Sequence, residues 1–136
     1  MTYLLGISAY YHDSAAALIK DGVIIAAAQE ERFTRIKQDS NFPLNAVKYC
    51  LSEAGIEPEQ LDGVVYYEKP FVKFERILET AMAYVPFSMR SFVNAMPVWL
   101  NTKLFIPSQI DKHFEKRLQC PIYFTTHHES HCASAF

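Results

Sequence analysis

Tyr3–Glu31 reads YLLGISAYYHDSAAALIKDGVIIAAAQEE, and this stretch decides the fold. Tyr3 to Ala9 is short, apolar and nearly continuous, the pattern of a strand buried on both faces. Asp21-Gly22 stands between two apolar runs. Glycine accepts positive φ without a Cβ clash, so this dipeptide predicts a two-residue hairpin turn. Strands are therefore expected near 14–20 and 23–30, with the polar loop YYHD joining the first strand to the second.

Working outward, Phe33 to Phe42 (FTRIKQDSNF) reads as a basic loop. Asn41 is a candidate cap for the next helix, and Pro43 suits its first turn. Leu44, Val47, Leu51 and Ala54 fall on one helical face, and Gly55 is placed to end it. Leu61 to Glu68 (LDGVVYYE) predicts a strand, and helix followed by strand points to an α/β layer. A second stripe runs through Phe71, Phe74, Leu78, Ala81 and Val85. Helical segments continue through SMRSFVNAMPVWLNTKLF, with a break or kink expected at Pro97. The plainer reading of this Phe-, Met- and Tyr-rich region is a packed helical subdomain; the other is a membrane-facing or partner-facing surface. Ser108 to Leu118 predicts a polar helix and Pro121 to Thr125 a last strand.

The 136 residues suffice for one domain with a real core, and no repeat, low-complexity run or linker divides them. Half the residues are hydrophobic, 21% are charged, and the formal net charge is -2, which gives no general reason to expect nucleic-acid binding. No apolar run is long enough to span a membrane. The N-terminus lacks the basic region and apolar core of a signal peptide. Cys50, Cys120 and Cys132 are odd in number and widely spaced, which fits free thiols in a reducing cytosol and a cytoplasmic protein.

Three places carry candidate chemistry. His12 and Asp13 fall in the turn between the first two strands, where α/β proteins bind ligands. His12 has the chemistry of a general base, Asp13 can orient it, and Ser14 can donate to a phosphate. The alternative is a polar turn in which Asp13 caps local amides. The basic loop supplies Arg32, Arg35 and Lys37, suited to phosphate or carboxylate, or else simply solvated. Finally, Thr125 to Phe136 reads TTHHESHCASAF. Thr126 and Glu129 have the spacing of a capping box, which makes His127 the first helical residue. His127 and His131 then share one face, while His128 points elsewhere. Such a pair is half of a site for zinc, iron, manganese or nickel and needs at least one more ligand. The alternative is a polar helix start with solvated histidines.

Together GISAYYHDSAAALIKDG, AAQEERFTRIKQDSNFP, YYEKPFVKFERILE and HHESHCASAF resemble the O-carbamoyltransferases of nodulation factors and antibiotics. The first and last motifs are more distantly similar to the tRNA threonylcarbamoyl-transferase family. The resemblance implies an α/β fold: the N-terminal part of an actin-like, sugar-kinase-like (ribonuclease-H-like) ATPase fold, with a helical insertion at about 70–118. It also implies that the chain is an N-terminal fragment of a longer enzyme, inactive by itself. A further domain would join carbamoyl phosphate and ATP into carbamoyl adenylate. The actin-like domain would pass the carbamoyl group to the hydroxyl of a sugar, an aminoglycoside, a nodulation factor or another small molecule.

By resemblance His127 and His131 match two metal ligands, with iron the leading candidate, and a remaining aspartate ligand lies downstream. His12 matches the catalytic histidine. Asp13 and Ser14 would lie near the nucleotide or orient His12, and Lys37 would stabilise negative charge on the transferring group. Two rivals are a non-catalytic metal- or nucleotide-binding module of the same superfold and a kinase or ATPase. Self-association through apolar surface near Ala133 to Phe136 is a further expectation.

Overall fold

Asp21 and Gly22 both take left-handed backbone, with φ of 48° and 84°. That is the two-residue turn whose twist matches paired antiparallel strands. It joins β2 (Ala15–Lys20) to β3 (Val23–Gln29), and β2 pairs antiparallel with β1 (Tyr3–Ser8) on its other side. β1 then pairs in parallel with β4 (Gly63–Tyr66), and β4 in parallel with β5 (Ile122–Phe124). Among the described residues the sheet has five strands, in the order β3-β2-β1-β4-β5. The structure, a computed structural model, describes residues 1–101 and 103–133, so the expectation for Ser134 to Phe136 lies outside the described residues.

Between β3 and β4 lie a short helix α1 (Glu31–Thr34), which replaces part of the expected loop, and α2 (Leu44–Ala54). α2 buries Ala46, Val47, Cys50 and Leu51 against the sheet. Leu44, expected on that face, is 36% exposed. The stripe is turned from the expected one, because it is Ala46 and Cys50 that meet the strands. Cys50 sits with its sulfur 3.6 Å from the Ala16 carbonyl. Gly55 ends the helix in left-handed backbone (φ 64°), its amide donating to Ser52.

The expected cap of α2 is wrong. Asn41 does not cap it, since its amide and side chain both donate to Asp39 at 3.0 and 2.9 Å. The capping acceptor is Glu30, which is 3% exposed. Its carboxylate receives the Asn45 amide at 3.1 Å, the Asn45 side chain at 2.7 Å and the Ala46 amide at 2.8 Å. A carboxylate at a helix start answers both the free amides and the positive end of the dipole.

Between β4 and β5 the chain is helical: α3 (Pro70–Ala83), α4 (Met89–Asn101) and α5 (Ile106–His113). Ile106 and Ile110 of α5 join Leu5, Leu18, Val64 and Tyr66 in the core. α4 runs through Pro97 rather than ending there. The stripe expected on α3 is only half used. Phe74 packs on Trp99 with ring centroids 5.8 Å apart, and Ala81 is buried. Phe71 is 67% exposed and Val85 lies beyond the helix end. Phe71 faces outward because α3 contacts its neighbours through Phe74 and Ala81.

Candidate functional site

Because β1, β4 and β5 are parallel, their carboxyl ends at Ser8, Tyr66 and Phe124 share one edge of the sheet. β2 starts and β3 ends at that edge. The turn after β1, the loop before α2, residues 67–69 and the start of α6 (His127–Ala133) all emerge there. The carboxyl edge of parallel strands is where such sheets hold ligands.

The turn holding His12 is fastened from several sides. Tyr10 and Asp13 take left-handed backbone, with φ of 67° and 50°. For non-glycine residues this costs about 1–3 kcal/mol each unless surroundings impose it. Here the Tyr10 amide donates to Ser40, the Ser14 amide to Asp39, and the Tyr66 hydroxyl to the Ala9 carbonyl at 2.7 Å. Burial pushes the Tyr66 phenol far above its ordinary range, so it remains a donor.

His12 is exposed on this anchored turn, its Nδ1 2.7 Å from Asp13 Oδ2. An ionised carboxylate only accepts, so this contact favours the tautomer that carries its proton on Nδ1. The Tyr11 ring lies 4.5 Å from the His12 ring, centroid to centroid. Ser14 is 1% exposed and its hydroxyl donates to the Asp39 carbonyl at 2.9 Å, so it faces the interior and not an open site.

Lys37 is exposed in the loop that Ser14 and Tyr10 fasten to the His12 turn. Asp39 shapes this loop: it accepts from Asn41 and from the Thr34 hydroxyl, and these bonds hold its carboxyl below the usual range.

At the start of α6 the capping box forms as expected. The Thr126 amide donates to Glu129 at 3.0 Å and the Glu129 amide to the Thr126 hydroxyl at 3.3 Å. The Thr126 hydrogen bonds hold the Glu129 carboxyl low, with Lys69 adding to them. His127 and His131 converge, their Nε2 atoms 3.1 Å apart. Adjacent ligands on one transition metal, with bonds of about 2.1 Å, span about 3.0–3.4 Å, so the pair fits two positions of such an ion. His128 lies off this face, its ring centroid 6.1 Å from that of His127. Tyr67 meets the His127 ring edge-on at 5.8 Å. Among the described residues no third His, Cys, Asp or Glu completes a metal-binding group.

Sequence reasoning missed Glu30, Asp39 and the cleft beside His127. The cleft, about 910 Å³, lies between α3 and α4 and reaches Tyr11 and His127. Lys69, at the N-cap of α3, and Lys73 and Arg76 within it follow helical spacing, a signal that was present in EKPFVKFER. Among the described residues no helix is long and apolar enough to cross a membrane.

Comparison with known proteins bears on the family and the fold. The chain is 54% identical over its whole length to the uncharacterized protein sll1178 of Synechocystis sp., covering 23% of that protein. It is 32% identical to the nodulation protein NolNO of Sinorhizobium fredii, over 93% of this chain and 18% of that one. The chain thus spans about a fifth of the length of these relatives. A solved structure, an uncharacterized protein from Pseudomonas aeruginosa with similarity to peptidase YEAZ, shares the fold at a TM-score of 0.50 and 15% identity. The match covers 93% of this chain and 44% of that one. Residues 3–136 match the family described as the carbamoyltransferase N-terminus, and the chain belongs to that family.

Proposed function

We propose that this chain forms the N-terminal, ribonuclease-H-like half of an actin-like carbamoyltransferase domain. The whole enzyme would move a carbamoyl group from carbamoyl phosphate, by way of carbamoyl adenylate made with ATP, to a hydroxyl of a small-molecule or sugar-type acceptor. The observation that supports this is that the His12 turn, the Lys37 loop and the helix bearing His127 and His131 all emerge at one sheet edge. The three unpaired thiols support a reducing, cytoplasmic setting.

His12 Nε2 takes the acceptor's proton as its oxygen attacks the carbamoyl carbon and the bond to the adenylate oxygen breaks. Asp13 holds the imidazole in the tautomer this requires. Lys37 offers a positive charge to the negative charge that develops on the transferring group. Ser14 acts from inside, by fastening the turn. His127 and His131 would hold a divalent transition metal, iron first, which when bound supplies Lewis-acid polarisation.

The test uses a polypeptide extended to the length of its relatives. His12→Asn keeps the reach of the side chain and removes the base. Carbamoylated product should form about 10²–10⁴-fold more slowly, while pyrophosphate release from ATP and carbamoyl phosphate survives. Unchanged transfer would place the base elsewhere. Loss of both half-reactions would make His12 structural.

A further inference from the structure

The cleft beside His127 has a lining of two kinds. Val72, Ile77, Ala81, Phe92 and Ala95 give it an apolar lining. Lys69 at the N-cap of α3 and Lys73 and Arg76 within it bring positive charge, and among the described residues Glu68 is the only carboxylate that lines the cleft. Glu68 is 6% exposed and paired to Lys73 at 2.9 Å, so it is spent locally. Lys73 also lies 5.2 Å above the Tyr11 ring. Lys69 and Arg76 are exposed, and among the described residues neither makes an ion pair with a carboxylate. The cleft therefore presents two cations whose charge is not cancelled at contact distance. Its volume of about 910 Å³ suits a drug-sized molecule.

Resting on the carbamoyl-transfer reading above, we infer that this cleft is the acceptor site and that it selects a hydroxylated molecule with an apolar, ring-sized body and an anionic substituent. The apolar body would lie on Ile77 and Phe92, the anion between Lys69 and Arg76, and the hydroxyl toward the end of the cleft at Tyr11, whose ring centroid lies 4.5 Å from that of His12, the proposed base. A polycationic acceptor meets like charge there and is disfavoured, since like charges brought together without screening oppose binding. The net charge of -2 conceals this local field, because it averages over the whole chain.

Three probes separate the terms: 4-methylumbelliferyl glucuronide, glucoside and glucosaminide. They share an aromatic body and a pyranose and differ in carrying a carboxylate, no charge or an ammonium. Binding to the chain is followed by fluorescence anisotropy, with a chelator present and without ATP or carbamoyl phosphate. The glucuronide should bind roughly threefold to tenfold more tightly than the glucoside, the glucosaminide most weakly, and the gaps should shrink in high salt. Lys69→Gln with Arg76→Gln should erase the glucuronide preference and leave glucoside affinity in place. Arg76→Lys should retain the preference, which separates charge from misfolding.

Equal affinities, a preference for the ammonium, or no binding of any probe would overturn the inference. So would a preference that survives the double substitution. Metal and carbamoyl donor are both absent from the measurement. Its failure therefore leaves the carbamoyl-transfer reading standing, and failure of the His12 experiment leaves this one interpretable.

Discussion

At the scale of the residue, the histidine motif and the acidic caps differ in how openly the sequence shows them. HHESH displays its register directly: Thr126 and Glu129 fix the helix start, and the fixed start dictates which imidazoles meet. The chain should therefore bind a divalent transition metal weakly through His127 and His131, since two ligands leave most of a coordination sphere to water. In a cobalt(II) or iron(II) titration, His127→Ala and His131→Ala should each remove most of the affinity, and His128→Ala should change it little. Equal losses at all three positions would refute the shared face. Ser14 was less legible. Nothing in HDSAAA distinguishes a hydroxyl that faces a nucleotide from one that turns inward, and the difference lies in the Asp39 carbonyl, distant in sequence.

At the scale of the element, α2 shows what local pattern can and cannot specify. Its span and its end at Gly55 follow from periodicity and from the backbone that glycine tolerates. Its start does not, because Glu30 is one of several charges in QEER and reaches α2 across an intervening helix and loop. Glu30→Ala would leave the amides of Asn45 and Ala46 without their acceptor inside the protein. The expected loss is about 1–3 kcal/mol, read as a lower urea midpoint with unchanged slope. A midpoint equal to that of the parent chain would show that the three hydrogen bonds contribute nothing net. The stripe on α3 misled in the opposite way: Phe71 has the right spacing for a core position but faces outward.

At the scale of the molecule, the hairpin and the alternation of helix and strand revealed the α/β class, and the motif resemblance pointed to the family. The cleft stayed hidden because periodicity does not show how far apart α3 and α4 pack, and because its end at Tyr11 and His127 comes from segments distant in sequence. The helical stretch also leaves Phe87 92% exposed and Met82 62% exposed. Large apolar side chains left exposed in this way favour association. The isolated chain should show a concentration-dependent rise in mass by light scattering, reduced by Phe87→Ser with Met82→Ser. A constant monomer mass would contradict this. The strand order carries one more consequence, for the sequence of events in folding. β1, β2 and β3 are neighbours in chain and in space, so their hairpins need only short loops to close. β5 can dock on β4 only after residues 67–121 have been gathered in. Contacts of long sequence separation close late and slowly. During synthesis the His12 turn would therefore be in place before His127 has been added to the chain, and the two halves of the site would meet last.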